Sequence, residues 1–265
     1  MSGADRVPLS HALALSEAET GVWTGEVAAG YDVFGNPHGG YLAALGAKAL
    51  LLGSGQPDLF TVTTHFLRKP SVGPIRFEVE PMGGSRRLTQ VRATARQGDR
   101  LVCSQVALVG VRAGFSGPSW AAAPAWTPEP AHMLDASTSS GFPTVADAMR
   151  MQIDRRTAGF GQGEPSGEAE IRLTCAPEPL DVFTAIIASD LNPPAIWEIM
   201  GMKGWVPTIE LTTHVRNTPE SGPFRVRATS CHLEGGFLEE DATVYDGTGR
   251  LIVQSRQLAC YTSGS

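Results

Sequence analysis

The chain has 265 residues, of which 42% are hydrophobic and 18% are charged, and its formal net charge at pH 7 is −6. This composition is typical of a globular protein with one large or two ordinary domains. The negative charge argues against a nucleic-acid partner, which would select a basic surface. No segment approaches the roughly 18 consecutive apolar residues of a membrane-spanning helix, and the N-terminus lacks the features of a signal peptide.

The cysteines indicate a reducing compartment. Cys103, Cys175, Cys231 and Cys260 are scattered, with no C-x-x-C pair, so their spacing predicts neither a zinc site nor a disulfide framework. We therefore expect free thiols in a cytoplasmic protein, and we predict no metal and no cofactor.

In the first part of the chain, strands surround a single apolar helix. Alternating apolar and polar residues predict strands, a continuous apolar stretch predicts a helix, and Gly98-Asp99 predicts a hairpin turn. The predicted elements are a strand over 22–28, a helix over 40–52, and strands over 78–82, 89–96 and 101–109. A segment rich in Pro, Ala and Ser follows over 113–163, and this composition is typical of a linker. Within it we predict a short helix over 145–153.

The second part of the chain has the same order of elements. A strand is predicted over 169–175 and an apolar helix over 180–189, and Asp246-Gly247 predicts a hairpin turn between later strands. Those later strands are predicted over 224–234, 239–245 and 250–261.

An internal repeat relates the two parts. Thr63-Thr64-His65 matches Thr212-Thr213-His214 at a shift of 149 positions, and a Pro, a Gly and a second Pro further along coincide at the same shift. Residues 98–102 match 248–252 at nearly the same shift. A match that recurs in order along a whole unit indicates two copies of one structural unit.

One early helix followed by long strands, twice over, predicts an α+β fold. A sheet with one apolar face needs a covering element, so each unit is an antiparallel sheet wrapped around a central helix, and the chain is a tandem (double) hot-dog fold. We place the N-terminal unit at 1–112, the linker at 113–163 and the C-terminal unit, with the likelier site, at 164–265.

The start of the first helix offers one candidate site. Gly39 and Gly40 allow close approach of a ligand, and free N–H groups there could bind a thioester carbonyl; alternatively, the glycines serve only helix packing. Asn36-Pro37-His38 faintly resembles the hydratase pattern in which an Asp and a His form an acid/base pair. However, the spacing of Asp32 and His38 differs from that pattern.

The C-terminal unit offers a stronger candidate. Asp190 ends an apolar helical stripe, where desolvation would make its carboxylate a better base; alternatively, it caps the following turn. Gln257 shares one strand face with Val253 and Ser255, which predicts an inward amide. Its counterpart in the repeat is Ala107. This asymmetry favours a site in the C-terminal unit, although alternation predicts that Thr208 points away from the core unless its strand bends.

These motifs together resemble the type II acyl-CoA thioesterases, which are double hot-dog proteins. The resemblance rests on the Gly-Gly helix, FLRKP, GWVPTIELTTHVR and ASDLN. It implies that Asp190, Thr208 and Gln257 hold and activate a water that attacks an acyl-CoA thioester. It also implies cations for the CoA phosphates, for which the candidates are Arg68, Lys69, Arg86 and Arg87.

Two other functions stay open from the sequence. One is a double hot-dog enoyl-CoA hydratase, and the other is a non-catalytic acyl-thioester binding protein. For each of the three functions we expect an acyl-CoA ligand and, because sheet faces are exposed, a homo-oligomer of two or more copies.

Overall fold

The computed structural model describes residues 6–85, 87–118, 120, 124, 126–139, 141–161 and 168–262. The α-helices in these ranges are α1 (Leu9–Ala12), α2 (Gly39–Ser54), α3 (Thr144–Ala148), α4 (Val182–Ala188) and α5 (Trp197–Met200). The strands of the N-terminal unit are β1 (Ser16–Glu19), β2 (Val22–Val27), β3 (Asp32–Val33), β4 (Asn36–Pro37), β5 (Asp58–Phe66), β6 (Gly73–Gly84), β7 (Leu88–Gln97) and β8 (Arg100–Gly110). The remaining strands are β9 (Met133–Asp135), β10 (Gln152–Asp154), β11 (Ala169–Cys175), β12 (Thr208–Val215), β13 (Phe224–Ser230), β14 (Leu233–Glu234), β15 (Phe237–Tyr245) and β16 (Leu251–Cys260).

The strands build a continuous antiparallel sheet with internal symmetry. The order β2-β6-β7-β8-β5 is followed by its mirror image, β12-β16-β15-β13-β11. At the centre, Thr63 pairs with Thr212, its counterpart in the repeat, and their hydroxyl oxygens are 2.9 Å apart. A pseudo-two-fold axis therefore passes between these two threonines, which confirms the tandem hot-dog architecture that the repeat predicts.

The sheet wraps around α2 and α4, which pack against each other. Each helix begins at a side-chain cap: His38 Nδ1 accepts from the Tyr41 N–H, and Asp181 forms a reciprocal capping box with Thr184. Such caps satisfy N–H groups that the helix itself leaves unpaired. The predicted helices at 40–52 and 180–189 are thus confirmed, within two residues at each end.

A polar contact ties each helix to the sheet. Gln105 donates from Nε2 to the Ala43 carbonyl oxygen and to Thr64 Oγ1, and it lies so close to Gly46 that a Cβ there would be 1.6 Å from its Oε1. In the C-terminal unit, Ser255 at the equivalent position donates to the Ser189 carbonyl oxygen. An inward polar side chain is therefore not confined to the C-terminal unit.

The predicted helix over 145–153 is wrong in its second half. Helix α3 ends at Ala148, because Arg150 takes a left-handed conformation with φ of 50°, and the chain then enters β10. Strand β10 pairs with β11 and β9, so the segment predicted as a linker extends the sheet. The boundaries of the units stay a prediction. Among the described residues, no helix is long and apolar enough to cross a membrane.

Candidate active site

The start of α2 contacts Asp190, the second residue after the end of α4, so the two units share one site. Asp190 Oδ2 accepts from the Gly40 N–H at 2.6 Å. A Cβ on Gly40 would be 2.8 Å from Asp190 Cβ, and one on Gly39 would be 3.0 Å from Asp190 Oδ2. The two glycines are therefore required for this close approach. They serve helix packing, and the residue that packs against them is the candidate base Asp190.

Both ring nitrogens of the buried His38 are engaged. Because Nδ1 accepts from the Tyr41 N–H, the neutral ring carries its proton on Nε2, which donates to the Asp190 carbonyl oxygen at 2.8 Å. Asp32 lies elsewhere, with its carboxylate bound to Thr144 Oγ1 and the Gly35 N–H. The acid/base pair of a hydratase is therefore not formed by Asp32 and His38.

Burial raises the pKa of the Asp190 carboxyl above its usual range, and the hydrogen bond from the Gly40 N–H partly offsets this rise. Within the described residues, nothing donates a hydrogen bond to Asp190 Oδ1. Desolvation destabilises the ionised form of an acid and so makes its conjugate base stronger. Asp190 thus presents one free carboxylate oxygen with enhanced basicity.

Thr208 and Gln257 are in direct contact. Strand β12 has a bulge between Thr208 and Glu210: Thr208 pairs with Ala259, and Glu210 pairs with Leu258. The extra residue turns Thr208 to the inner face, where its hydroxyl donates to Gln257 Oε1. Regular alternation would turn Thr208 away from the core, and the irregularity of the strand is the reason that it points inward. Gln257 is buried on the inner face, as alternation predicts.

Glu240 is a further polar residue of the site that was not among the candidates from the sequence. Its side chain is buried on β15 beside Gln257, and it accepts from Gln257 Nε2, Asn192 Nδ2 and the Ala195 N–H. Burial raises its pKa to about 7. A signal was available, since Glu240 alternates with the buried Leu238 and Ala242 on one face of a predicted strand.

A cavity of about 710 Å³ joins these groups. Asp190, Thr208, Gln257 and Glu240 all line it, together with Gly39 at the start of α2. The rest of its wall is largely apolar and includes Leu42, Phe66, Phe142, Val145, Phe160 and Trp197. Phe142, Val145 and Phe160 belong to the predicted linker, which therefore forms part of the cavity wall.

The N–H groups of the two glycines differ in availability. The Gly40 N–H is bound by Asp190. The Gly39 N–H, at the first position of α2, has no acceptor among the described residues. Such an N–H at the start of a long helix attracts a partly negative oxygen.

The arginine and lysine side chains predicted to bind the CoA phosphates do not all lie at the cavity. Arg68 and Lys69 line the cavity and are exposed. Arg87 lies outside the cavity lining, at the hairpin between β6 and β7, with its guanidinium 5.8 Å from the centre of the Phe115 ring. Arg68 donates its backbone N–H to the Val102 carbonyl oxygen, and the Arg87 carbonyl oxygen accepts from the Val111 N–H. The length of β8 therefore separates the two arginines by roughly 30 Å. Arg86 lies outside the described residues.

The sheet, the paired central helices and the shared cavity define a double hot-dog protein with a cluster of polar side chains in its cavity. The N-terminal domain of the acyl-CoA thioesterase family matches residues 27–111, and its C-terminal domain matches residues 118–261. The chain therefore belongs to the acyl-CoA thioesterase family and is a thioester hydrolase.

Three individual proteins are similar to this chain. An uncharacterized protein from Mycobacterium tuberculosis is 27% identical over 90% of each chain. The structure of a candidate thioesterase II from Thermobifida fusca is 24% identical and superposes with a TM-score of 0.82, covering 97% of this chain and 99% of that one. An acyl-CoA thioesterase II from Mycobacterium marinum is 15% identical, with a TM-score of 0.76 over 97% and 99% of the two chains. At these identities the two structures share the fold.

Proposed function

We propose that the chain hydrolyses an acyl-CoA thioester to a free acid and CoA, with Asp190 as the general base on water. The observation that carries this proposal is the position of the Asp190 side chain, which is 8% exposed. One of its carboxylate oxygens is held by the Gly40 N–H, and the other accepts from no donor in the part of the chain that the structure describes. The side chain lines a cavity that Thr208 and Gln257 also line.

The hydrogen-bond directions fit one water molecule. The Thr208 proton is committed to Gln257 Oε1, so the Thr208 oxygen can only accept from a water. Asp190 Oδ1 accepts the water's other proton, and the Gln257 amide can donate to the water oxygen. One lone pair of the water oxygen then remains for attack on the thioester carbonyl carbon.

The reaction needs no covalent intermediate with the enzyme. The water oxygen bonds to the carbonyl carbon while its proton passes to Asp190. The carbonyl oxygen becomes negative and is stabilised by the Gly39 N–H. As the carbon–sulfur bond breaks, the proton held by Asp190 passes to the CoA sulfur, so that CoA leaves as a thiol, the acid is released and Asp190 is again a carboxylate.

The cavity also offers places for both parts of the substrate. The apolar wall suits an acyl chain, because burial of each methylene contributes about 0.8 kcal/mol. Arg68 and Lys69 at the exposed side suit the CoA phosphates. Aromatic residues of the wall, such as Phe142 and Phe160, would determine the length of acyl chain that the cavity accepts.

The experiment is a free-thiol assay on acyl-CoAs of rising chain length, comparing the wild type with Asp190→Asn. The amide keeps an oxygen for the Gly40 N–H but cannot accept the water proton, so we expect kcat to fall by at least about 100-fold. Asp99→Asn, on an exposed hairpin, is the matched control and should retain activity.

Two outcomes would contradict the proposal. An inert wild type across the panel would leave a non-catalytic acyl-thioester binding protein, and a fully active Asp190→Asn would place the base elsewhere. Hydration of an enoyl-CoA is measured in parallel, and we expect none because both His38 nitrogens are engaged.

We also propose a cytoplasmic homo-oligomer that acts in lipid metabolism. Exposed apolar side chains on the outer sheet face, such as Val106 and Leu258, support association. Light scattering coupled to size exclusion gives the mass of the particle, and a mass of 28.1 kDa would show a monomer and contradict this assembly.

A further inference from the structure

Glu240 is a buried carboxylate for which the hydrolytic scheme above has no use. Its side chain is 3% exposed. Oε1 accepts from Gln257 Nε2 at 2.6 Å and from Asn192 Nδ2 at 2.7 Å, and Oε2 accepts from the Ala195 N–H at 2.7 Å. Three donors aimed at one side chain stabilise its ionised form.

The contact with Gln257 fixes which way that amide faces. An ionised carboxylate can only accept hydrogen bonds, so Gln257 must turn its NH₂ group to Glu240 and its oxygen to Thr208. Thr208 then has to donate its only proton to Gln257 Oε1. The direction of the whole chain of hydrogen bonds, from Thr208 through Gln257 to Glu240, is therefore set by the charge on Glu240.

We propose that Glu240 is a positioning residue for hydrolysis, which acts through Gln257 and Thr208 to fix the donors and acceptors that meet the attacking water. This inference rests on the proposed function. With Glu240 ionised, the Thr208 oxygen is free to accept from water, and the second Gln257 N–H is free to donate to it. With Glu240 protonated, its O–H needs an acceptor, so the Gln257 or the Asn192 amide has to turn over.

The groups around Glu240 determine the pH range in which it takes up its proton. On the helix side the titratable neighbour is Asp190, with His38 behind it, and the negative charge of Asp190 opposes ionisation of Glu240. On the α5 side, Glu198 turns its carboxylate to the Gly159 and Phe160 N–H groups. Burial, together with the negative charge of Asp190, raises the pKa of Glu240 to about 7.

The first test compares the pH dependence of kcat in the wild type, Glu240→Gln and Glu239→Gln. Glu239 precedes Glu240 on β15 and binds the Cys231 and His232 N–H groups, so its substitution is the matched control. We expect Glu240→Gln to lower kcat by about 10- to 100-fold, as for a lost hydrogen bond to a charged group. In Glu240→Gln, the ascending limb of the pH profile of kcat should also move to lower pH, because removing the negative charge of Glu240 favours ionisation of Asp190.

A double-substitution cycle separates positioning from general damage. If Glu240 acts through Thr208, then Glu240→Gln should lower kcat much less in the Thr208→Val background than in the wild type. Equal losses in both backgrounds, or a kcat loss without movement of the pH limb, would overturn the positioning role.

A second measurement needs no activity and no variant. The side-chain amide resonances of ¹⁵N-labelled Gln257 in the wild type should titrate with a midpoint near pH 7, as Glu240 takes up its proton. Resonances that do not change between pH 5 and 9 would overturn the inference. If they titrate in a protein that hydrolyses no acyl-CoA, the proposed function fails while the coupling between Glu240 and Gln257 stands.

Discussion

Substitution of Gly40 by alanine tests whether the start of α2 holds Asp190 in place. A methyl group at Gly40 would lie 2.8 Å from Asp190 Cβ and 2.9 Å from His38 Cε1, so either the helix start or Asp190 must move. The hydrogen bond from the Gly40 N–H to Asp190 Oδ2 would then lengthen or break.

The magnitude follows from that one bond. A hydrogen bond to a charged group contributes about 1.5–3 kcal/mol, which corresponds to about a 10- to 100-fold loss of kcat if it acts in positioning the base. The Gly40 N–H also lowers the pKa of Asp190. Its loss should therefore raise that pKa and move the ascending limb of kcat/KM to higher pH.

The assay is thiol release as a function of pH, with the melting temperature of each variant measured alongside. Gly117→Ala is the control, because a Cβ there would meet no heavy atom within 4 Å, and it should match the wild type. A folded Gly40→Ala protein with wild-type kcat and an unmoved pH limb would refute the view that this contact organises the base.

Three further expectations concern stability and binding. The pKa of Glu240 rises from 4.5 to about 7 on folding, so its burial should cost roughly 3 kcal/mol of stability as pH rises from about 5 to above 7. In urea unfolding, Glu240→Gln should lose less stability than the wild type between pH 5 and 8, and an equal loss would contradict the raised pKa. Arg68→Ala should raise KM several-fold for acyl-CoA but not for a thioester without the nucleotide, whereas Arg87→Ala should change neither. Gly46→Ala should lower the free energy of unfolding by roughly 2 kcal/mol, because Gln105 must leave its buried hydrogen bonds; unchanged denaturant midpoints would disprove that close contact.

The candidate site was only partly predictable. Asp190 and Gln257 could be found because each stands where a helical stripe or an alternating strand places a polar group toward the core. Thr208 could be linked to them only by family resemblance, since strict alternation turns it outward and the bulge before Glu210 reverses that. Bulges depend on the register of the neighbouring strand, which a single strand's pattern does not contain.

The sequence by itself determined the repeat, the order of elements and the equivalence of Ala107 with Gln257. These are set by local periodicity and by matching residues. The pairing of Thr63 with Thr212 confirms the repeat, and Ala107 and Gln257 pair with equivalent residues, Val62 and Leu211. Only the tertiary structure decided that the N-terminal unit supplies Gly40 to a base in the C-terminal unit, that Glu240 stands behind Gln257, and that Arg87 lies far from the cavity. Each of these depends on distances between residues remote in the chain, because packing of α2 on α4 and strand register bring them together or keep them apart.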